Sequence, residues 1–150
     1  MTTPELIAYA AGFFDGEGHI RISRHSKRGN YMLQISAVQA TPEPIEFMVS
    51  LFGGTMNKRV VPYKGSPKAR FTWQSSSKVA EKALRLMLPY LICKKDEAGL
   101  ALEFRETFRP QYGERSRNPP ELEHKRELMM YDLQEMRHKK RDIHIEAVAA

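Results

Sequence analysis

The same helix-opening signature is written twice in the first half of this chain. Thr3-Pro4-Glu5 and Thr41-Pro42-Glu43 each combine an N-cap hydroxyl, a proline suited to the first helical turn and an acid facing the positive helix end. The first helix is expected over 6–15, stopped by Gly16 and Gly18; the second ends at Gly53-Gly54. After each helix the apolar period drops to two. Ile20 and Ile22 face one way, with His19, Arg21 and Ser23 on the other side. A polar turn over 25–30 precedes a second alternating run, in which Tyr31, Leu33, Ile35 and Ala37 share a face. After the second helix come a strand over 55–61, a turn-rich connection over 62–67 and a strand over 69–75. In the last of these, Phe71 and Trp73 point inward and Arg70, Thr72 and Gln74 outward. Ser77 can cap a third helix to about residue 88, and 96–108 reads as a fourth. Asn118-Pro119-Pro120 opens a last helix, with Glu121 and Glu123 at its start and His138, Lys139, Lys140 and Arg141 at its end.

This order predicts an α+β fold: an αββαββα core over about 4–108, with a four-stranded antiparallel sheet and helices on one face. A C-terminal helical extension follows over about 118–141. The 150 residues are expected to form one domain. A single cysteine, Cys93, excludes an intramolecular disulfide and a Cys-rich zinc site. The five histidines have no zinc-ligand spacing, and no Ser/His/Asp arrangement emerges. No leader-like N-terminus and no long apolar span is visible, so an intracellular, soluble protein with no membrane partner is expected; its compartment is not legible.

The net charge is +6, and its placement says more than its size. Arg21, Arg24, Lys27 and Arg28 lie in a stretch, 18–42, without an acid. Lys58, Arg59, Lys64, Lys68, Arg70 and Lys78 lie in a second acid-free stretch, 47–80. Intermixed surface charge would not segregate this way. The pattern reads as an electrostatic footprint for nucleic acid, with a solvated basic face as the plainer alternative.

At the end of the first helix stands Ala10-Ala11-Gly12-Phe13-Phe14-Asp15-Gly16-Glu17-Gly18. Two acids at the negative end of a helix are electrostatically misplaced, at a cost of about 0.3–1 kcal/mol per charge, and a cation would offset this. A carboxylate beside free helix-end carbonyls is a hard oxygen site suited to Mg²⁺. Ala8, Gly12 and Gly16 form a row without bulk on one helix face, which allows a second helix to approach. On local physics alone the segment reads equally as a buried helix ending in an acid-glycine turn.

This nonapeptide resembles the LAGLIDADG motif of homing endonucleases, and the helix–hairpin–helix–hairpin–helix order resembles that family's core. The resemblance implies a saddle-shaped sheet on double-stranded DNA, with motif helices packed against each other at its centre. It implies a single-motif, homodimeric enzyme that hydrolyses one phosphodiester per strand of a long pseudo-palindromic site. No small-molecule substrate is expected. Mg²⁺ is the implied cofactor, or another divalent cation such as Mn²⁺, or Ca²⁺ in a non-cleaving state. Glu17 falls on the motif's final acid and is implied as metal ligand, with the Gly16 carbonyl as a second; aspartate is usual there, so Glu17 is a departure. Gln39 resembles a polar residue that organises active-site water, against a plainer reading as a strand-end hydrogen-bonding group. Lys94 resembles an active-site lysine, against a surface lysine with Lys95 as adjacent competitor. Glu43 and Pro44 occupy the region where related enzymes often carry another basic group, so that contribution is unassigned. The dimer interface would use Ala8, Gly12 and Gly16.

The expected DNA-binding residues are His19, Arg21, Ser23, His25, Asn30, Gln34, Ser36, Lys58, Arg70, Thr72 and Gln74, with Lys58 expected to contribute to binding across all sequences. β-Ribbons fit the major groove, where arginine favours guanine and glutamine adenine. The rival functions are a non-cleaving DNA-binding regulator and an intron RNA maturase on the same fold; the acid at the motif end favours the nuclease over both. The C-terminal helix either tracks phosphates or reinforces the fold, and the sequence does not decide between them.

Overall fold

The computed structural model describes residues 2–25, 30–108 and 118–149. Lys27 and Arg28 of the first basic stretch lie outside the described residues. The elements follow in the expected order: α1 (Pro4–Glu17), β1 (Gly18–Arg24), β2 (Tyr31–Gln39), α2 (Glu43–Phe52), β3 (Thr55–Tyr63), β4 (Ser66–Ser76) and α3 (Ser77–Met87). A 3-10 turn (Leu88–Tyr90), α4 (Lys95–Glu106) and α5 (Pro120–Ala149) complete the chain. The strands form one antiparallel sheet in the order β1-β2-β4-β3, in an α+β architecture. None of its described helices is long and apolar enough to cross a membrane.

Alternation decides which sheet face is covered. Ile20, Ile22, Tyr31, Leu33, Ile35, Ala37 and Trp73 are buried, and their neighbours in sequence are not. The helices supply the other half of this core: Ala10, Ala11 and Phe14 from α1, Ile45 and Met48 from α2, Ala80, Leu84 and Met87 from α3, and Ala98, Ala101 and Phe104 from α4. Trp73 is its largest member; Phe14 meets it edge-on, and its indole N–H donates to the Gly53 carbonyl at 2.8 Å.

The structure departs from the local signals at four places. Thr3 caps α1 as expected, its hydroxyl accepting from Leu6 N–H. Thr41 does not cap α2, whose N-cap is Pro42, and α3 opens after Ser76, with Ser77 already inside the helix. The connection at 62–67 is mostly ladder: Pro62 pairs with Pro67 and Tyr63 with Ser66, around a two-residue turn. Both turn residues, Lys64 and Gly65, have positive φ, the geometry that matches strand twist in tight hairpins, and β3 is an edge strand that tolerates Pro62. Finally, α5 continues to Ala149, so the cluster at 138–141 sits inside the helix and not in its last turn.

The N-terminal half of α5 docks rather than projecting. Met129 and Leu133 are buried, and Arg126 donates to the hydroxyl and carbonyl of Thr107 at 2.9 Å each while lying 3.8 Å from the Phe108 ring centroid. Gly54, with φ of 92°, is held against β4, where an added Cβ would lie 2.5 Å from the Gln74 carbonyl oxygen. Gly54→Ala therefore combines a strained φ with a backbone clash. Urea unfolding of this variant should show a loss of about 1–3 kcal/mol or more; an unchanged midpoint would refute the described approach of this turn to β4.

Candidate nucleic-acid interface and acidic centre

The two acids of the α1 segment have different fates. α1 runs through Glu17, two residues further than expected, and ends where Gly18 N–H bonds back to the Phe14 carbonyl. Gly18 is required there, since a Cβ would lie 2.3 Å from that oxygen and 2.4 Å from the Phe14 ring. Asp15 turns toward the segment after the 3-10 turn. Its carboxylate accepts from Ile92 N–H at 2.7 Å and from Lys94 N–H at 3.0 Å. The Lys94 ammonium in turn donates to the Asp15 carbonyl at 2.5 Å, placing a cation on the negative end of the helix. Asp15 is thus spent on holding the chain together.

Glu17 is exposed and shares a cleft with Val38, Gln39, Ala40, Lys68, Ala69 and Arg70. The cleft therefore joins one carboxylate, one amide and two cations. Gln39 accepts from its neighbour Ala40 N–H at 2.8 Å, the strand-end bond of the plainer reading, and its amide N–H₂ remains a donor. Lys94 is half-buried on Asp15, whereas Lys95 is exposed as the first residue of α4. Gly16 is exposed beside Glu17. Among the described residues no group of three or more His, Cys, Asp or Glu could hold a metal ion. A site here would rest on one carboxylate and peptide oxygens, completed from outside the chain.

The register assigns the polar residues to faces, because directly paired residues share a side. His19 pairs with Ser36, Arg21 with Gln34, Ser36 with Gln74, and Val38 with Thr72; all are on the face opposite the core. Ser23 and Arg70 follow by alternation, while His25 and Asn30 flank the hairpin tip and are exposed. Lys58 lies on the other side. It pairs with Phe71 and lies over that ring, on the helix side of the sheet. Asn57 and Arg59, paired with Thr72 and Arg70, take the outward positions on β3 that the sequence reading missed. Arg59 and Arg70 form a like-charge pair directly across the ladder, an arrangement unfavourable in isolation.

His19 is engaged by α5, since Arg137 reaches its ring at 2.8 Å. Burial first, then the Arg137 charge, holds its pKa below the ordinary value. No local pattern announces this contact across 118 residues of sequence. On α1, Ala8 is half-buried, while Gly12 and Gly16 are exposed and an added Cβ at either would meet nothing within 4 Å. The exposed apolar side chains of Leu6 and Tyr9 belong to the same helix, and Ile92, on the segment tied to Asp15, is 85% exposed.

No protein-family model matches this chain, and no curated protein matches it. Solved structures do. The homing endonuclease I-CvuI in complex with its target in the presence of calcium superposes with a TM-score of 0.68 at 20% identity, covering 89% of this chain and 82% of that one. The archaeal intron-encoded homing endonuclease I-Vdi141I complexed with DNA gives 0.64 at 16% identity, covering 87% and 82%. The LAGLIDADG homing endonuclease I-SmaMI bound to cleaved DNA gives 0.50 at 22%, covering 71% of this chain and 37% of that one. The chain has the fold of the LAGLIDADG homing endonucleases.

The separation of the two acids is testable in stability alone. Asp15→Ala strands two backbone N–H donors and should cost about 1–3 kcal/mol in urea unfolding, whereas Glu17→Ala should stay within roughly 0.5 kcal/mol. Equal effects of the two substitutions would contradict this division.

Proposed function

We propose that the chain is a site-specific DNA endonuclease acting as a homodimer, which binds a long pseudo-palindromic duplex through its outward sheet face and cuts one phosphodiester in each strand. The observation that carries this reading is the exposed Glu17 carboxylate in a cleft with Gln39, Lys68 and Arg70, while its neighbour Asp15 is consumed structurally. The fold neighbours named above are complexes with DNA, which supports the choice of partner.

The donor set fits a hard divalent cation such as Mg²⁺, which is commonly held by one or two carboxylates together with substrate phosphates. Glu17 and the Gly16 carbonyl would hold it, and when bound it would supply charge stabilisation at the attacking and leaving oxygens and a more acidic water. The remaining chemistry belongs to the chain. The Gln39 amide donates to water in the cleft and fixes its direction. Lys68 and Arg70 neutralise the phosphate beside the cleft, offering positive charge that Glu43 and Pro44 do not. The Lys94 ammonium, docked on the Asp15 carbonyl, holds the helix end in place and adds its field to the same region. Arg59 and Arg70, unfavourable neighbours in the free protein, gain from a polyanion laid across them.

Glu17→Gln preserves shape and removes the charge. With a duplex carrying the sequence that flanks the gene, this variant should lose Mg²⁺-dependent cleavage by at least about 10²-fold while retaining gel-shift affinity. Undiminished cleavage by the variant would remove Glu17 from the mechanism. Binding without cleavage by the unaltered protein would instead favour a non-cleaving regulator.

A further inference from the structure

Three outward side chains on the β1–β2 hairpin are bonded to one another. Arg21 and Gln34 are directly opposed in the ladder, and Arg21 Nη2 donates to Gln34 Oε1 at 2.5 Å. Ser23, two residues along the same face, donates its hydroxyl to that same oxygen at 3.2 Å. A guanidinium has no acceptor, so the amide oxygen and not the nitrogen must face Arg21. That oxygen has two lone pairs, and both are engaged. His25 Nε2, 3.4 Å from Ser23 Oγ, is placed to donate to the hydroxyl oxygen, which leaves the hydroxyl proton for Gln34. Gln34 therefore projects only its two N–H donors, and Arg21 only its remaining ones.

This changes what the pair can read. Glutamine recognises adenine by using both halves of its amide, accepting from N6 and donating to N7. Held this way, Gln34 has lost the accepting half. Guanine presents two acceptors in the major groove and thymine one; adenine keeps the N7 acceptor but sets its amino donor against the second N–H, and cytosine presents the amino donor alone. We propose that Arg21, Ser23 and Gln34 are a single donor-only reading unit. Arg21 selects guanine, and Gln34 selects an acceptor edge, guanine or thymine, at the adjoining position. Gln34 is also the positioning residue for the Arg21 guanidinium, and Ser23 is the residue that denies Gln34 the two-bond contact with adenine. The inference rests on the duplex-DNA reading above and narrows it to base classes.

The test is selection from a pool of duplex DNA with randomised positions, using the full chain with Ca²⁺, followed by sequencing and affinity measurement on the enriched duplexes. The unaltered protein should enrich guanine at one symmetric pair of positions and favour guanine or thymine over adenine and cytosine next to it. Gln34→Ala should lower guanine discrimination at the Arg21 position by on the order of tenfold although Arg21 is intact. Gln34→Glu keeps an acceptor for Arg21 and Ser23 but replaces the outward donor, so it should keep guanine and convert the adjoining preference to cytosine. Ser23→Ala should admit adenine there. Adenine enriched beside Gln34 by the unaltered protein, or an unchanged profile in folded Gln34→Glu and Ser23→Ala, would overturn the inference. A folded, unaltered protein that enriches no sequence would overturn the DNA reading itself, a result separate from a changed base at one position.

Discussion

Asp15 and Lys94 hold each other twice, and the rest of the site depends on that exchange. The carboxylate takes two backbone donors from the segment before α4, and the Lys94 ammonium returns to the Asp15 carbonyl. A carboxylate bonded to peptide N–H groups and an ammonium on a helix-end carbonyl are both charge-assisted contacts. Together they fix the end of α1, so the chain can turn directly into β1 under Phe14. Glu17 is left exposed at that turn, over the ends of β2 and β4. Its freedom is the complement of the constraint on Asp15.

The sheet carries the second half of the account. Period-two alternation buries one face of β1 and β2 together with Trp73 of β4, and leaves the other mostly to polar and basic residues. The strands carry Arg21, Arg59 and Arg70 on the face opposite the core and contain no acid, so their outward positions present positive charge, with Glu17 at its margin. A like-charge pair across a ladder lowers stability. α5 adds a boundary at the β1 edge: Arg137 lies on His19, and Lys140 reaches the Cys93 carbonyl and the buried Glu97. It therefore reinforces the fold over at least part of its length.

Element order, strand facing on β1, β2 and β4, and the core were legible because each rests on a strong local period. β3 was not, since 55–63 has no clear alternation and its facing is set only by pairing with β4. The position of Lys58 on the helix side, and of Asn57 and Arg59 on the outward side, was not legible for that reason. The acidic segment was visible as a motif, but nothing local separates Asp15 from Glu17. Their roles differ because of bonds to a segment 77 and 79 residues away. For Gln34, residue type alone does not reveal that its oxygen already accepts from Arg21 and Ser23.

The central claim is that two copies of this chain bring two Glu17 carboxylates to one duplex. A C₂ contact places identical patches opposite each other, and the α1 surface at Gly12 and Gly16 has room for one. Since Gly12 is exposed and an added Cβ there meets nothing within 4 Å, Gly12→Leu should leave the monomer folded and obstruct only the contact between copies. Sedimentation at micromolar concentration, with a duplex carrying the target, measures this directly. The account predicts two copies per duplex for the unaltered chain, and for Gly12→Leu a folded protein that has lost both the second copy and double-strand cleavage. Cleavage of both strands by a single copy on the duplex would contradict it.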